Sequence, residues 1–255
     1  TTRSEEKAAR LAEEGVEPRV WPGVDLAPDI AEATHILASA GPGEEGDPVL
    51  PLLGAALRNA RPLWVGYLST TGVYGDHGGG WVDEETPLTP GTERGRRRVL
   101  AEDQWRDLAA QAGWPCHVFR LAGIYGPGRS PLDRVRRGEA RRIVKPGQVF
   151  SRIHVDDIAQ VLAASMAAPV PGGRAYNVCD DDPAPPQDVI AHAAALLGLP
   201  VPPEVPFDAA EMSPMAASFY AETKRVRNDR IKHELGVRLL YPTYREGLAA
   251  LAADG

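Results

Sequence analysis

With 255 residues, 28 Lys+Arg and 35 Asp+Glu, the chain carries a formal net charge of −7, the reverse of the balance that a nucleic-acid binder usually shows. A hydrophobic content of 43% is ample for the core of one large α/β domain, or of a main domain with a smaller appendage, and it argues against disorder. No apolar run is long enough to span a bilayer and no signal peptide is visible, so a cytoplasmic protein without membrane or nucleic-acid partners is expected.

The chain opens TTRSEEKAARLAEEG, without an initiator methionine, which raises the expectation that it starts partway into a fold. Ser4 can cap a helix whose first turn carries Glu5 and Glu6, and Gly15 stops it. Residues 34–40 read as a buried strand, 47–60 as a helix with proline near its start, and 63–70 as the next strand. A long Gly- and Pro-rich loop follows to about Gly91. From there a helix runs to Gly113, then a strand over 115–126, a helix over 156–168, a strand over 174–180 and a helix over 186–198. Strands alternating with helices predict a parallel sheet covered on both faces, a doubly wound, Rossmann-like α/β fold. Cys116 and Cys179 fall in apolar strand-like runs and are expected to be free core thiols. The six histidines show no zinc-ligand spacing, so no metal site is expected.

In such sheets ligands bind outside the carboxyl ends of the strands. A literal Gly-x-Gly-x-x-Gly occurs there as GPGEEG, Gly41 to Gly46, but it reads as a decoy. Glu44 and Glu45 would face the pyrophosphate that the loop should cradle, and no acid stands about 20 residues on, where Arg61 and Gly66 are found.

The stretch YLSTTGVYGDHGGGWVDEETPLTP, 67–90, is more informative: a Ser/Thr-rich strand end, a Val-Tyr-Gly triplet and an acidic, Pro-rich loop. It resembles the extended short-chain dehydrogenase/reductases, the NAD-dependent epimerase/dehydratase family. The likeness continues through 120–135, 150–162, 175–190 and 223–248. The resemblance implies a Rossmann-like NAD(P)-binding domain of 1–126 plus 151–180, lacking its first βα unit, and a substrate-binding region of 127–150 plus 181–255. The missing unit would hold roughly thirty residues and the pyrophosphate contacts, so the chain as given is expected neither to pair its sheet normally nor to bind a dinucleotide well.

The resemblance also implies roles for single residues. Arg3, at the end of the family's second strand, would meet the adenosine ribose and favour NADP over NAD through the 2′-phosphate. Ser39, Ala40, Gly41, Ser69, Ala122 and Ile124 would lie along the cofactor. Arg129, Arg152, His154 and Lys224 would lie on the substrate side. The family's Tyr-x-x-x-Lys motif falls on RGRRR, with Arg94 at the tyrosine and Arg98 at the lysine. A guanidinium stays protonated to a pKa above about 12, so neither arginine can abstract or return a proton near neutrality.

Arg98 is expected either near the nicotinamide ribose or in a surface charge ladder with Glu102 and Arg106. Arg94 is expected to face the pocket, holding an anionic substrate group or lowering the pKa of Tyr74, the candidate replacement acid. Thr70 stands at the family's catalytic Ser/Thr, where it can hydrogen-bond a substrate or tie off the strand end. Asp156 and Asp157 after His154 can simply cap a helix. The expected activity is that of an NAD(P)-dependent oxidoreductase or epimerase on a polar small molecule, nucleotide-linked among the options, with a homodimer left open. The alternative is a non-catalytic dinucleotide sensor that docks a protein partner.

Overall fold

The computed structural model describes residues 1–253. Ser4 caps α1, Glu5–Glu13, by accepting from the Lys7 amide at 3.2 Å. Then come α2, Ala27–Glu32, β1, His35–Ala38, α3, Leu50–Asn59, and β2, Trp64–Thr70. After β3, Trp81–Val82, the long helix α4 covers Glu93–Ala112, started by Thr92 and ended by Gly113 in the left-handed region at φ 78°. β4, Cys116–Leu121, β5, Gly123–Tyr125, α5, Pro131–Arg136, β6, Arg142–Val144, and β7, Arg152–His154, follow. The chain continues through α6, Val155–Ala167, β8, Ala175–Val178, α7, Pro186–Leu196, and β9, Glu204–Pro206. It closes with α8, Pro214–Tyr220, β10, Arg225–Val226, α9, Asp229–Leu235, and α10, Tyr244–Ala253.

The main sheet is parallel, in the order β1-β2-β4-β8. Side chains alternate between its faces, and both faces are buried. Trp64, Phe119, Tyr176 and Val178 pack on one side with Ile158 and Val161 of α6 and Ile231 of α9. Val65, Tyr67 and Val118 pack on the other with Leu57 of α3 and Trp105 of α4. All six residues of β4 are buried, as its apolar run predicts. Cys116 and Cys179 are buried free thiols. A third core joins Leu132 and Val135 of α5, Val189 and Ile190 of α7, and Tyr244 and Leu248 of α10. Val226, Ile231 and Val237 belong to the core of the sheet.

Thr2 makes a single parallel bridge to Val20, outside the four-stranded sheet, in which β1 pairs with β2 alone. The strand expected over 115–126 is two strands. The Ala122 amide still reaches the Val178 carbonyl at 3.0 Å, but that of Gly123 turns to Ser151 at 3.1 Å. β5 therefore leaves the sheet and pairs with β7, which opens a cleft beyond the carboxyl ends of β2 and β4.

Candidate active site

β2 ends at Thr70, whose Oγ1 accepts from the Gly72 amide at 3.2 Å and starts a single 3-10 turn, Thr71–Tyr74. The turn closes at Gly75, at φ 73°, where a Cβ would run into the Thr89 carbonyl. Glycine is required there to let the strand end lie against the Pro-rich loop. Thr70 thus ties off backbone as one of its two readings expected, and it also lines the cleft.

The cleft encloses about 800 Å³. The structure brings together in its lining Ser39, Ser69, Thr70, Ala122 and Ile124 from the strand ends, Arg94 and Arg98 from α4, and Arg129, Arg152 and Lys224 from the facing wall. Arg134 and Arg137 of the α5 segment add to it. The lining therefore carries seven cationic side chains against two carboxylates, Asp133 and Glu222, in a chain whose net charge is −7. Both acids are engaged locally. Asp133 closes a capping box with Ser130, and Glu222 pairs with Lys224 at 2.9 Å.

The cations differ in how far they are held. Lys224 Nζ donates to the Gly75 carbonyl at 2.6 Å. Arg152 donates to the carbonyls of Phe150 at 2.8 Å and Ala184 at 3.2 Å. Near it Asp180 is 1% exposed, and burial pushes its carboxyl up to about 8 against the pull of Arg152. Arg98 donates to the Leu68 carbonyl at 2.5 Å and the Tyr67 hydroxyl at 3.2 Å. Of the charge ladder expected for Arg98, the Glu102–Arg106 rung forms at 3.1 Å, but Arg98 does not pair with Glu102, which is fully buried.

Glu102 is the main feature that the sequence concealed. It receives Arg120 on both oxygens, at 3.2 and 2.9 Å, the Ser69 hydroxyl at 2.6 Å and Arg106 at 3.1 Å. Arg120 also donates to the Tyr74 hydroxyl at 2.9 Å, and that hydroxyl donates to Asn177 at 2.7 Å. These bonds do not favour Tyr74 as the replacement acid that the sequence suggested. It is fully buried, is absent from the cleft lining, and burial pushes its hydroxyl up to about 12. Arg94 does not activate it; its guanidinium lies over the Phe219 ring, at 5.6 Å.

His154, expected on the substrate side, is held inside the fold. It is 1% exposed, its Nδ1 accepts from the Asp156 amide at the start of α6, and its ring packs between Tyr125 and Tyr241. Ala40, Gly41 and Arg3 lie outside the cleft lining, and Arg3 is exposed beside the Thr2–Val20 bridge. The GPGEEG stretch is a tight turn pinned to α4: Gly43 and Gly46 bridge each other, and Gln104 bonds the Asp47 amide and the Glu45 carbonyl at 2.9 and 2.8 Å. Phe219, Glu222 and Arg134, also in the lining, were missed. Phe219 and Glu222 sit in a Pro- and Ala-rich segment whose periodicity is too short to orient them.

For a nicotinamide dinucleotide, the strand-end residues fit its nicotinamide and ribose half. Ser39 and Ala122 line the cleft beside Arg98 with small side chains, and Ser69 lines it with its hydroxyl committed to Glu102. The pinned GPGEEG turn, with acidic Glu44 and Glu45, does not fit the pyrophosphate.

The model of the NAD dependent epimerase/dehydratase family matches residues 49–179. A structure of a conserved protein of unknown function from Silicibacter pomeroyi is 60% identical, with a TM-score of 0.91 over 99% of this chain and 88% of that one. Protein YeeZ of Escherichia coli is 32% identical over 80% of this chain and 68% of its own length. The UDP-glucuronic acid 4-epimerase of Bacillus cereus, solved with UDP-glucuronic acid and NAD, shares the fold at 15% identity, with a TM-score of 0.75 over 97% of this chain and 85% of that one. Sheet, cleft and family match agree: the chain belongs to the NAD-dependent epimerase/dehydratase family of extended short-chain dehydrogenase/reductases.

Proposed function

We propose that the chain is an NAD(P)-dependent oxidoreductase or epimerase acting on a polar, nucleotide-linked substrate. The observation that carries this reading is the cleft of about 800 Å³ at the strand ends, with its excess of cationic side chains. Ser39, Ser69, Arg98, Ala122 and Ile124 serve the cofactor, and Arg98, whose side chain is held on the Leu68 carbonyl, would meet the nicotinamide ribose. Arg129, Arg152 and Lys224 serve the substrate. The cofactor supplies hydride chemistry, which depends mainly on positioning. Thr70 Oγ1 lies where it can donate its proton to a substrate oxygen while accepting from Gly72. Arg3 tilts the choice towards NADP, and the residues form the two-part division given by the resemblance.

Calorimetry with NADH and NADPH, followed by turnover on carbonyl and sugar-nucleotide substrates, tests the reading. Binding with turnover is expected, with a weak affinity because the residues fit the nicotinamide and ribose half and not the pyrophosphate. Binding without turnover favours a non-catalytic dinucleotide sensor, which the loss of the Tyr–Lys pair and the burial of Tyr74 also favour. Absence of dinucleotide binding overturns both. Equal effects of Arg3→Ala on the two cofactors remove Arg3 from the ribose.

A further inference from the structure

Four arginines fill positions 94 to 98, and the structure treats one of them differently. Arg96 and Arg97 both pair with Glu93, Arg97 also with Glu44, and Arg98 is bonded to a carbonyl and a phenol. Arg94 lines the cleft and makes no hydrogen bond or ion pair among the described residues; its resolved contact is the Phe219 ring. Arg129 and Arg134 on the facing wall are equally free of acids. A merely solvated helix face would use nearby carboxylates, as Arg96 and Arg97 do. The two acids of the cleft leave Arg94 alone, because Ser130 holds Asp133 and Lys224 holds Glu222.

Phe219 is 51% exposed and belongs to α8, which lies along the cleft. The next residue anchors that helix. Tyr220 packs against Phe150 and Phe207, each at 5.4 Å between ring centroids, and its carbonyl accepts from Lys145. An exposed cation–π contact is weaker than a charge-assisted hydrogen bond. An oxyanion entering the cleft therefore competes successfully for the Arg94 guanidinium.

We propose that Arg94 and Phe219 form a clamp for the anionic group of the substrate, a carboxylate or a phosphoryl group. Arg94 supplies forked N–H donors, and Phe219 supplies the ring face that covers the bound group when α8 rests on it. The position that carries the catalytic tyrosine in the family is in this chain a specificity-determining cation. The inference rests on reading this cleft as the substrate site, but it requires no cofactor, so its test is separate from that of the proposed activity.

The chain contains four phenylalanines. Incorporated 4-fluorophenylalanine gives each a fluorine resonance, and Phe219→Leu identifies that of Phe219. Titration with inorganic pyrophosphate, and separately with citrate, is expected to shift the Phe219 signal saturably, and the tighter of the two distinguishes phosphoryl from carboxylate recognition. Arg94→Gln is expected to weaken binding about tenfold, the worth of one charge-assisted bond. Arg94→Lys should weaken it less, and Arg96→Gln, which removes an arginine paired with Glu93, should leave it nearly unchanged. A Phe219 signal indifferent to both anions, or equal losses in Arg94→Gln and Arg96→Gln, overturns the clamp. These titrations are run without NAD(P)(H): a clamp that titrates in a chain that binds no dinucleotide sinks the proposed activity alone, and the converse sinks the clamp alone.

Discussion

The first turn and the middle of one helix show how charged side chains take opposite roles. At the start of α4, Arg94 stands free at the cleft over an aromatic ring. Two turns on, Glu102 is fully buried and receives Arg120, Arg106 and Ser69. The buried cluster is closed: its charge is balanced inside the fold, and removing one member strands another in low dielectric. The cleft is open: Arg94 has no acid partner among the described residues and is available to a ligand. Charges answered within the fold serve uniqueness of structure, and charges left unanswered beside a cavity point to binding.

The largest test of this contrast is Glu102→Gln. It leaves Arg120, 3% exposed, without its counter-charge, and a loss of about 3–5 kcal/mol in urea unfolding is expected. Replacing both Glu102 and Arg120 by methionine should recover much of that loss. A Glu102→Gln protein of wild-type stability would mean that the cluster is not a closed pair.

The next effect depends on pH. His117 on β4 is fully buried between Trp64 and Tyr176, at ring distances of 6.0 and 6.3 Å, and neither ring nitrogen has a partner. Burial pushes its imidazole down to about 4. Its unfolded counterpart, at about 6.5, binds a proton first as the pH falls. The stability that neutral His117 confers is therefore complete above the unfolded value, and is lost as the pH falls towards the folded one. A decrease on the order of 2 kcal/mol between pH 7 and pH 4.5 is expected from this group. His117→Phe should flatten that part of the profile, and an unchanged slope would assign the acid sensitivity elsewhere.

A smaller effect separates Tyr74 from the chemistry. Tyr74→Phe deprives Arg120 and Asn177 of a hydrogen-bond partner, and should lower stability by about 1–2 kcal/mol. It should not reduce turnover by the factor of about 10²–10⁴ that loss of a positioned acid produces. Such a reduction, at unchanged cofactor affinity, would return Tyr74 to the reaction. The smallest expected effect is that of Arg94→Gln on stability, within about 0.5 kcal/mol because the side chain is exposed and unpaired. A large loss would show that Arg94 is structural.

Much of the architecture was legible because it depends on local chemistry. Ser4, Gly15 and Gly113 mark helix ends by their own backbone and side-chain preferences. The apolar runs of β2 and β4 announce strands buried on both faces. The short elements, α2, α5 and α8 among them, were not legible, since six or seven residues hold too few turns for a periodic pattern. The break between β4 and β5 was hidden because it arises when the Gly123 amide meets Ser151, a partner far along the chain.

The sequence by itself determined that arginines stand at 94 and 98, and a guanidinium retains its proton wherever those residues are placed. Most of the candidate residues named from the sequence and its resemblance line the cleft, and those at strand ends do so because strand ends converge in any doubly wound sheet. Only the tertiary structure decided what each polar group meets. Tyr74 finds Asn177 across 103 residues, Glu102 finds Arg120 across 18, and Arg98 finds the Leu68 carbonyl across 30. Burial then converts an apparent surface glutamate into a core ion pair and an apparent catalytic tyrosine into a packed one, while leaving Arg94 free, because the strength of a charge or a hydrogen bond depends on the partner and on the water excluded around it.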